Sequence, residues 1–163
     1  MTAFTKRPLD LVFFIFFVTH IPITLLFDLQ AIYPTWLVPS VLLETTAKYV
    51  EVTGDPFMGA TSPIYWFQSF VSLEAAFQLP FFFVASYGLY HDLQFIRLPM
   101  IVYGAHVVTT VVPILAELAL NPSYLDTLPL VAIYSPYFGI PLLILVDSYQ
   151  RVSSRLNLKI KET

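Results

Sequence analysis

The sequence predicts an all-α membrane protein, a four-helix transmembrane bundle with proline-kinked helices. Three observations predict it. The 163 residues are 57% hydrophobic and 17% aromatic but only 12% charged, where soluble chains carry about a quarter charged residues. The apolar residues gather in four runs, each long enough to cross about 30 Å of hydrocarbon at about 1.5 Å per residue. Prolines recur inside every run, at Pro22, Pro80, Pro113, Pro136 and Pro141. Each withholds an N–H, and such broken helices line protein-buried or wet cavities rather than lipid.

The length fits one domain, a four-span unit over residues 1–150 followed by a basic tail, 151–163. Lys6 and Arg7 precede the first run, about 9–33. That run is too long for the apolar part of a cleaved leader and no small-residue cleavage site follows it, so it is expected to stay as a span. Composition then shifts. Pro34, Pro39, Lys48, Gly54, Asp55, Pro56 and Pro63 mark a loop over 34–63. Within it Ser40 to Val52 is expected to form a short interfacial helix, with Ser40 as N-cap and Glu44 in the first turns. Span 2, about 64–90, opens on Tyr65 and Trp66, residues of the interfacial aromatic type. The polar turn His91 to Arg97 makes spans 2 and 3 antiparallel neighbours. Span 3 covers about 98–120, Asn121 to Asp126 make the next turn, and span 4 covers about 127–149.

Charge sets the expected orientation. Lys6, Arg7, Arg97 and the tail cations Arg151, Arg155, Lys159 and Lys161 fall on one side of the spans, and Lys48 alone on the other. The positive-inside rule then places both termini in the cytosol and the 34–63 loop in the lumen. The ending KIKET puts Lys161 and Lys159 three and five places from the C-terminus, a pattern of retrieval to the endoplasmic reticulum; the plainer reading is a stop-transfer flank. Absence of cysteine excludes disulfides, thiolate metal sites and cysteine nucleophiles. Eight Lys and Arg confined to span flanks exclude a nucleic-acid surface. No Gly-rich phosphate loop is present, and nothing implies a metal or cofactor. Asn121 is followed by Pro122, which disqualifies it as a glycosylation acceptor.

Polar residues inside the runs point to a site. His20, Thr24 and Asp28 stand at i, i+4 and i+8 in span 1 and share one helix face. An ionisable group within a span costs about 2.5–3.5 kcal/mol on insertion scales and normally faces a bundle interior, a partner or water. Glu74, with Gln78 one turn on, lies deeper, near the middle of span 2. Asp28 and Glu74 are expected to meet as the acidic floor of a ligand pocket in the luminal half of the bundle. Two carboxylates close together in low dielectric do not both ionise cheaply, so Glu74 is expected to hold a proton and donate to an ionised Asp28. In span 3, His106, Thr109, Thr110, Pro113 and Glu117 recur on one face, expected to point inward. Span 4 adds Tyr134 and Tyr137. A pocket of one negative charge and aromatic walls suits an amphiphilic cation, through an ion pair and cation–π contact. His20 reads more readily as a helix-interface histidine than as a ligand or base, while Asp55 before Pro56 reads equally as an ordinary turn pair and the two threonines as bonded to their own helix.

The stretches HIPITLLFDLQA, GDPF, SFVSLEAAFQLPFF, RLPMIVYGAHVVTTVVPIL and VAIYSPYFGIPLLIL resemble the EXPERA family, which also holds the emopamil-binding sterol isomerases. The resemblance runs over essentially the whole chain in order. It implies a four-helix protein of the endoplasmic reticulum, commonly a homodimer, that binds cationic amphiphiles and sterols or oxysterols within membrane lipid and takes part in cholesterol homeostasis and trafficking. It further implies Asp28 as the carboxylate that pairs with a ligand amine and Glu74 as its protonated partner. Asp55 would be a further acidic residue needed for binding, and Gln78, Tyr103, Thr110, Tyr134 and Tyr137 would be pocket wall. For mammalian members the resemblance implies a sterol-transport partner, the lysosomal transporter NPC1.

Three functions compete. The first is a receptor-like regulator of sterol traffic without chemistry. The second is a sterol Δ8-Δ7 isomerase-like enzyme, with Glu74 as acid and His106 or Asp28 as base. The isomerases place a His and a Glu one turn apart, but here Phe70 precedes Glu74 by one turn. The third, a transporter or scaffold, is disfavoured because four spans leave little room for alternating access.

Overall fold

The computed structural model describes residues 4–124 and 128–161, with side chains through residue 158. The side chains of Lys159 and Lys161, and part of the turn expected over Asn121 to Asp126, lie outside the described residues. Among the described residues there is no strand, and four helical segments are long and apolar enough to cross a membrane. The elements are α1 (Pro8–Leu26), α2 (Ser40–Thr53), α3 (Tyr65–Leu73), α4 (Leu79–Tyr90), α5 (Arg97–Leu120) and α6 (Leu128–Lys161). Helix α1 with the turn after it makes span 1, α3 and α4 together make span 2, and α5 and α6 make spans 3 and 4.

Three element ends differ from the sequence expectation. Helix α1 stops at Leu26, and Asp28–Ala31 is a separate 3-10 turn. The Gln30 amide donates to the Leu26 carbonyl at 2.5 Å and satisfies that helix end. Ser40 is the first residue of α2 rather than its cap, because Pro39 occupies the cap position and no side chain bonds there. Gly54, at φ 67°, closes α2 in the left-handed conformation glycine takes without strain. Helix α6 runs on through the basic tail to Lys161 instead of ending near Tyr149.

Span 2 is one continuous run with a widened turn. Glu74–Gln78 form a π turn, closed by the Leu79 N–H on the Glu74 carbonyl. Pro80 follows two residues after Gln78. Its ring would crowd the carbonyl four residues back in a regular helix, and the wider turn relieves that clash.

Two apolar layers fill the bundle. One joins Phe13, Phe17, Phe82, Met100 and Ile144; the other, nearer the 34–63 loop, joins Leu29, Phe57, Phe67, Leu118 and Leu130. Helices α5 and α6 pack closely at Gly104, where an added Cβ would fall 2.7 Å from the Pro141 carbonyl oxygen and 2.8 Å from Leu145 Cβ.

The opposite end is tied by ions. Asp10 is fully buried, and its Oδ2 lies 2.6 Å from Arg97 and 2.9 Å from Arg7, while Oδ1 lies 3.5 Å from Arg151. Arg7 also pairs with Asp92 at 3.1 Å, and Arg151 with Asp147 at 2.8 Å. The start of α1, the α4–α5 turn, α5 and α6 are thus linked through one buried carboxylate. The sequence reading treated these arginines as span flanks and gave Asp10 and Asp147 no role.

Candidate functional site

The site begins where α1 breaks. Ending the helix at Leu26 lets the next turn swing Asp28 back over the last helical turn, where Thr24 Oγ1 stands 3.3 Å from Asp28 Oδ2. The same hydroxyl lies 2.6 Å from Glu74 Oε1. Thr24 is fully buried between the two. A hydroxyl has one proton, so it donates to one of these oxygens at a time, and the shorter distance favours Glu74. Glu74 opens the π turn, and Gln78 closes it, buried on the same side.

Both carboxyl groups reach a cavity of about 340 Å³, within the range of sites for small organic molecules. Aromatic side chains dominate its wall: Phe16, Phe67, Phe70, Phe82, Tyr103 and Tyr137 among them. Tyr103 is held by the rings of Phe17, Phe81 and Phe82, at centroid distances of 5.1, 5.2 and 5.9 Å. His20 reaches the wall from the middle of α1. Its Nδ1 is 2.8 Å from the Phe16 carbonyl, which only accepts, so in the neutral ring Nδ1 carries the proton. Nε2 is then a buried acceptor, and no protein group among the described residues bonds it.

Asp55 stands behind the wall. It is almost wholly buried, and its Oδ2 accepts from the Tyr49 hydroxyl at 2.9 Å and the Tyr134 hydroxyl at 2.8 Å. Its Oδ1 accepts from the backbone N–H groups of Phe57 and Met58 at 2.9 and 3.1 Å. One carboxyl group therefore fixes the loop, α2 and α6 together, and both of its tyrosines line the cavity. Burial and the nearby Asp55 push the Tyr49 phenol above its usual range. Helix α2 closes this end through Thr46 and Tyr49, with Thr46 donating to Gln30 at 3.0 Å.

The profile of EXPERA (EXPanded EBP superfamily) matches residues 41–148. This chain is an EXPERA protein. It is 42% identical over 155 residues to sigma intracellular receptor 2 of Xenopus tropicalis, covering 88% of this chain and 90% of the relative. To the human protein of the same name it is 36% identical over 156 residues, covering 87% and 88%. The resemblance read from the sequence was to this branch, the sigma-2 receptor or transmembrane protein 97, and these relatives bear it out. The chain is a multi-pass, receptor-like membrane protein of that family.

Of the residues singled out in the sequence, this EXPERA fold brings His20, Asp28, Glu74, Gln78, Tyr103, Thr110, Tyr134 and Tyr137 to one cavity. Asp55 contacts that wall from behind. His106 does not reach it and lies half-buried elsewhere on α5. The expected inward polar face of span 3 is corrected by the structure. Thr110 is buried, but Thr109 and Pro113 are exposed, and Thr109 gives its hydroxyl to the Ala105 carbonyl at 2.8 Å. A threonine that bonds its own backbone has no need of the interior. The true inner face is Tyr103, Val107, Thr110, Val111 and Ile114. Missed from the sequence were Thr24 as the bridging hydroxyl and Tyr49 and Thr46 on α2. The i, i+4 spacing of Thr24 and Asp28 was the available signal for the first.

Proposed function

We propose that this chain is an endoplasmic-reticulum receptor-like protein whose acidic intramembrane cavity binds cationic amphiphiles and sterols, in the service of cholesterol homeostasis and trafficking. One observation carries the reading: two carboxyl groups joined by a buried hydroxyl open onto a cavity walled mainly by aromatic and aliphatic side chains. Two full negative charges at that spacing repel strongly in low dielectric, so the pair holds a single shared proton and one net negative charge. A protonated amine supplies the missing countercharge at Asp28, and its apolar body meets the rings of Tyr103, Phe82 and Tyr137. His20 Nε2 accepts from a ligand O–H or N–H at the far wall. Both termini face the cytosol in this reading, α2 lies at the luminal surface, and the protein works as a homodimer.

A matched pair of ligands tests it: a hydrophobic tertiary amine and the uncharged amide of the same shape. The amine binds the purified protein saturably and the amide at least about tenfold more weakly, a difference of about 1.4 kcal/mol. Equal binding of the two would remove the acidic pocket from the account.

A sterol Δ8-Δ7 isomerase-like activity is the second reading. Glu74 and Asp28 both stand at the cavity for it, whereas His106, the other candidate base, does not. Turnover of a Δ8 sterol by the purified protein, lost in Glu74→Gln, would establish it.

A further inference from the structure

We propose that the depression at the ion-paired end of the bundle binds the phosphate of an anionic phospholipid. It is an open hollow of about 430 Å³ lined by Arg7, Arg151, Arg155, Gln94 and Ser154, with Asp92. At this end four guanidinium groups, Arg7, Arg97, Arg151 and Arg155, meet three carboxylates, Asp10, Asp92 and Asp147, and the one positive charge left over is that of Arg155 at the hollow. Its walls come from the start of α1, the α4–α5 turn and α6, parts of the chain that only the fold brings together.

The arginines differ in a useful way. Arg7 and Arg151 are anchored from below, on Asp10 at 2.9 and 3.5 Å, and Arg151 again on Asp147 at 2.8 Å. Arg7 is nearly buried and is engaged by Asp10, Asp92 and the Leu89 carbonyl, so it shapes the floor. Arg151 is 36% exposed, and its guanidinium, with five N–H donors in a fixed fork and its inner edge pinned, still presents donors outward. Arg155, one turn beyond Arg151 on α6, is exposed and makes no ion pair among the described residues. Ser154 adds a hydroxyl beside it.

Position selects a lipid over a free anion. The neighbouring outer surface of the bundle is apolar and exposed at Leu9, Phe95, Leu98 and Tyr149. The hollow therefore opens at the level where lipid-facing side chains give way to charged ones, which is the headgroup layer of a bilayer. Past Arg155, Leu156 and Leu158 are also exposed, apolar side chains that suit a membrane surface better than water. Basic pockets between helices at this level are suited to anionic headgroups. A phospholipid phosphate fits the hollow while its chains run along the apolar surface below.

The test uses the full chain in phosphatidylcholine nanodiscs doped with phosphatidic acid, followed by release into detergent and native mass spectrometry of co-retained lipid. Wild type retains phosphatidic acid in preference to phosphatidylcholine. Arg155→Gln lowers that preference about fivefold, the effect of one basic side chain at an anionic surface, and Ser154→Asp moves it in the same direction. Lys6→Gln, an equal loss of charge outside the hollow, leaves it unchanged. Thermal unfolding of Arg155→Gln matches wild type, because the side chain is exposed and outside the ion network. Equal retention of the two lipids by wild type overturns the proposal. So does an equal loss in Arg155→Gln and Lys6→Gln, which would mean diffuse surface charge. Stabilisation by inorganic phosphate as great as by phosphatidic acid would mean a free-anion site and overturns it as well.

Discussion

Asp55→Asn is the substitution whose outcome follows most directly from geometry. Oδ2 of Asp55 accepts from two phenols, at 2.8 and 2.9 Å, and Oδ1 from two backbone N–H groups. Only an acceptor at both oxygens fits that pattern. Asparagine keeps the Oδ1 half but turns an N–H₂ group toward two hydroxyls that are already donating. Two hydrogen bonds to a carboxylate, each worth about 1.5–3 kcal/mol, are lost, and about 1–2 kcal/mol returns when one phenol turns to accept. The net loss is about 2–4 kcal/mol, divided between the stability of the fold and the shape of the cavity wall. If half of it falls on the bound state, affinity for a hydrophobic tertiary amine drops about 5- to 30-fold. Saturation binding and thermal unfolding of the purified variant measure the two shares. Tyr134→Phe removes one of the same bonds, so Asp55→Asn combined with Tyr134→Phe should cost less than the sum of the single changes. Strict additivity, or an Asp55→Asn protein that binds and unfolds like wild type, would refute the reasoning.

Thr24→Val keeps the shape of the threonine and removes the hydroxyl between Asp28 and Glu74; it should destabilise the protein by about 1–3 kcal/mol through the unpaired carboxyl oxygens and weaken amine binding, both read on the same preparation. Gly104→Val drives a side chain into the Pro141 carbonyl and Leu145 across the α5–α6 contact. It should cost about 1–3 kcal/mol or more, seen as a lower unfolding temperature in detergent, with binding weakened only as the fold is lost. The Tyr49 phenol is held above its usual value by burial and by Asp55, so the native state binds its proton more tightly than the unfolded chain does. Its contribution is whole below about pH 10 and is lost as pH rises above that. Tyr49→Phe should remove this part of the alkaline loss of stability, and an unchanged alkaline profile would contradict the assignment.

The spans were legible because the bilayer demands long apolar runs, and four such runs, the last three joined by short polar connections, allow few arrangements. The cavity was legible for a related reason. An ionisable group such as Asp28 or Glu74 is costly within a span unless it faces something polar, so its mere presence marked the inside. The same logic failed for Thr109, whose hydroxyl is satisfied by the Ala105 carbonyl and costs little in lipid. It failed differently for Asp10, three residues after Arg7, which reads as part of a charged flank. Only the three-dimensional meeting of Arg7, Arg97 and Arg151 shows it to be the buried centre of that end. The break after Leu26 and the π turn at Glu74 were also hidden. Local propensity favours a continuous helix at both places, and the deviations follow from Gln30 capping the Leu26 carbonyl and from the clash Pro80 would otherwise make.

The most direct measurement of the central claim is saturation binding of a hydrophobic tertiary amine to the purified protein alongside Asp28→Asn and Glu74→Gln. Asp28→Asn removes the charge that pairs with the amine, at a cost of about 2–5 kcal/mol, and should abolish measurable binding. Glu74→Gln keeps a hydrogen-bond donor at the same place and should only weaken it. If both variants bind the amine as wild type does, the carboxyl pair serves the fold alone and the acidic receptor pocket is wrong.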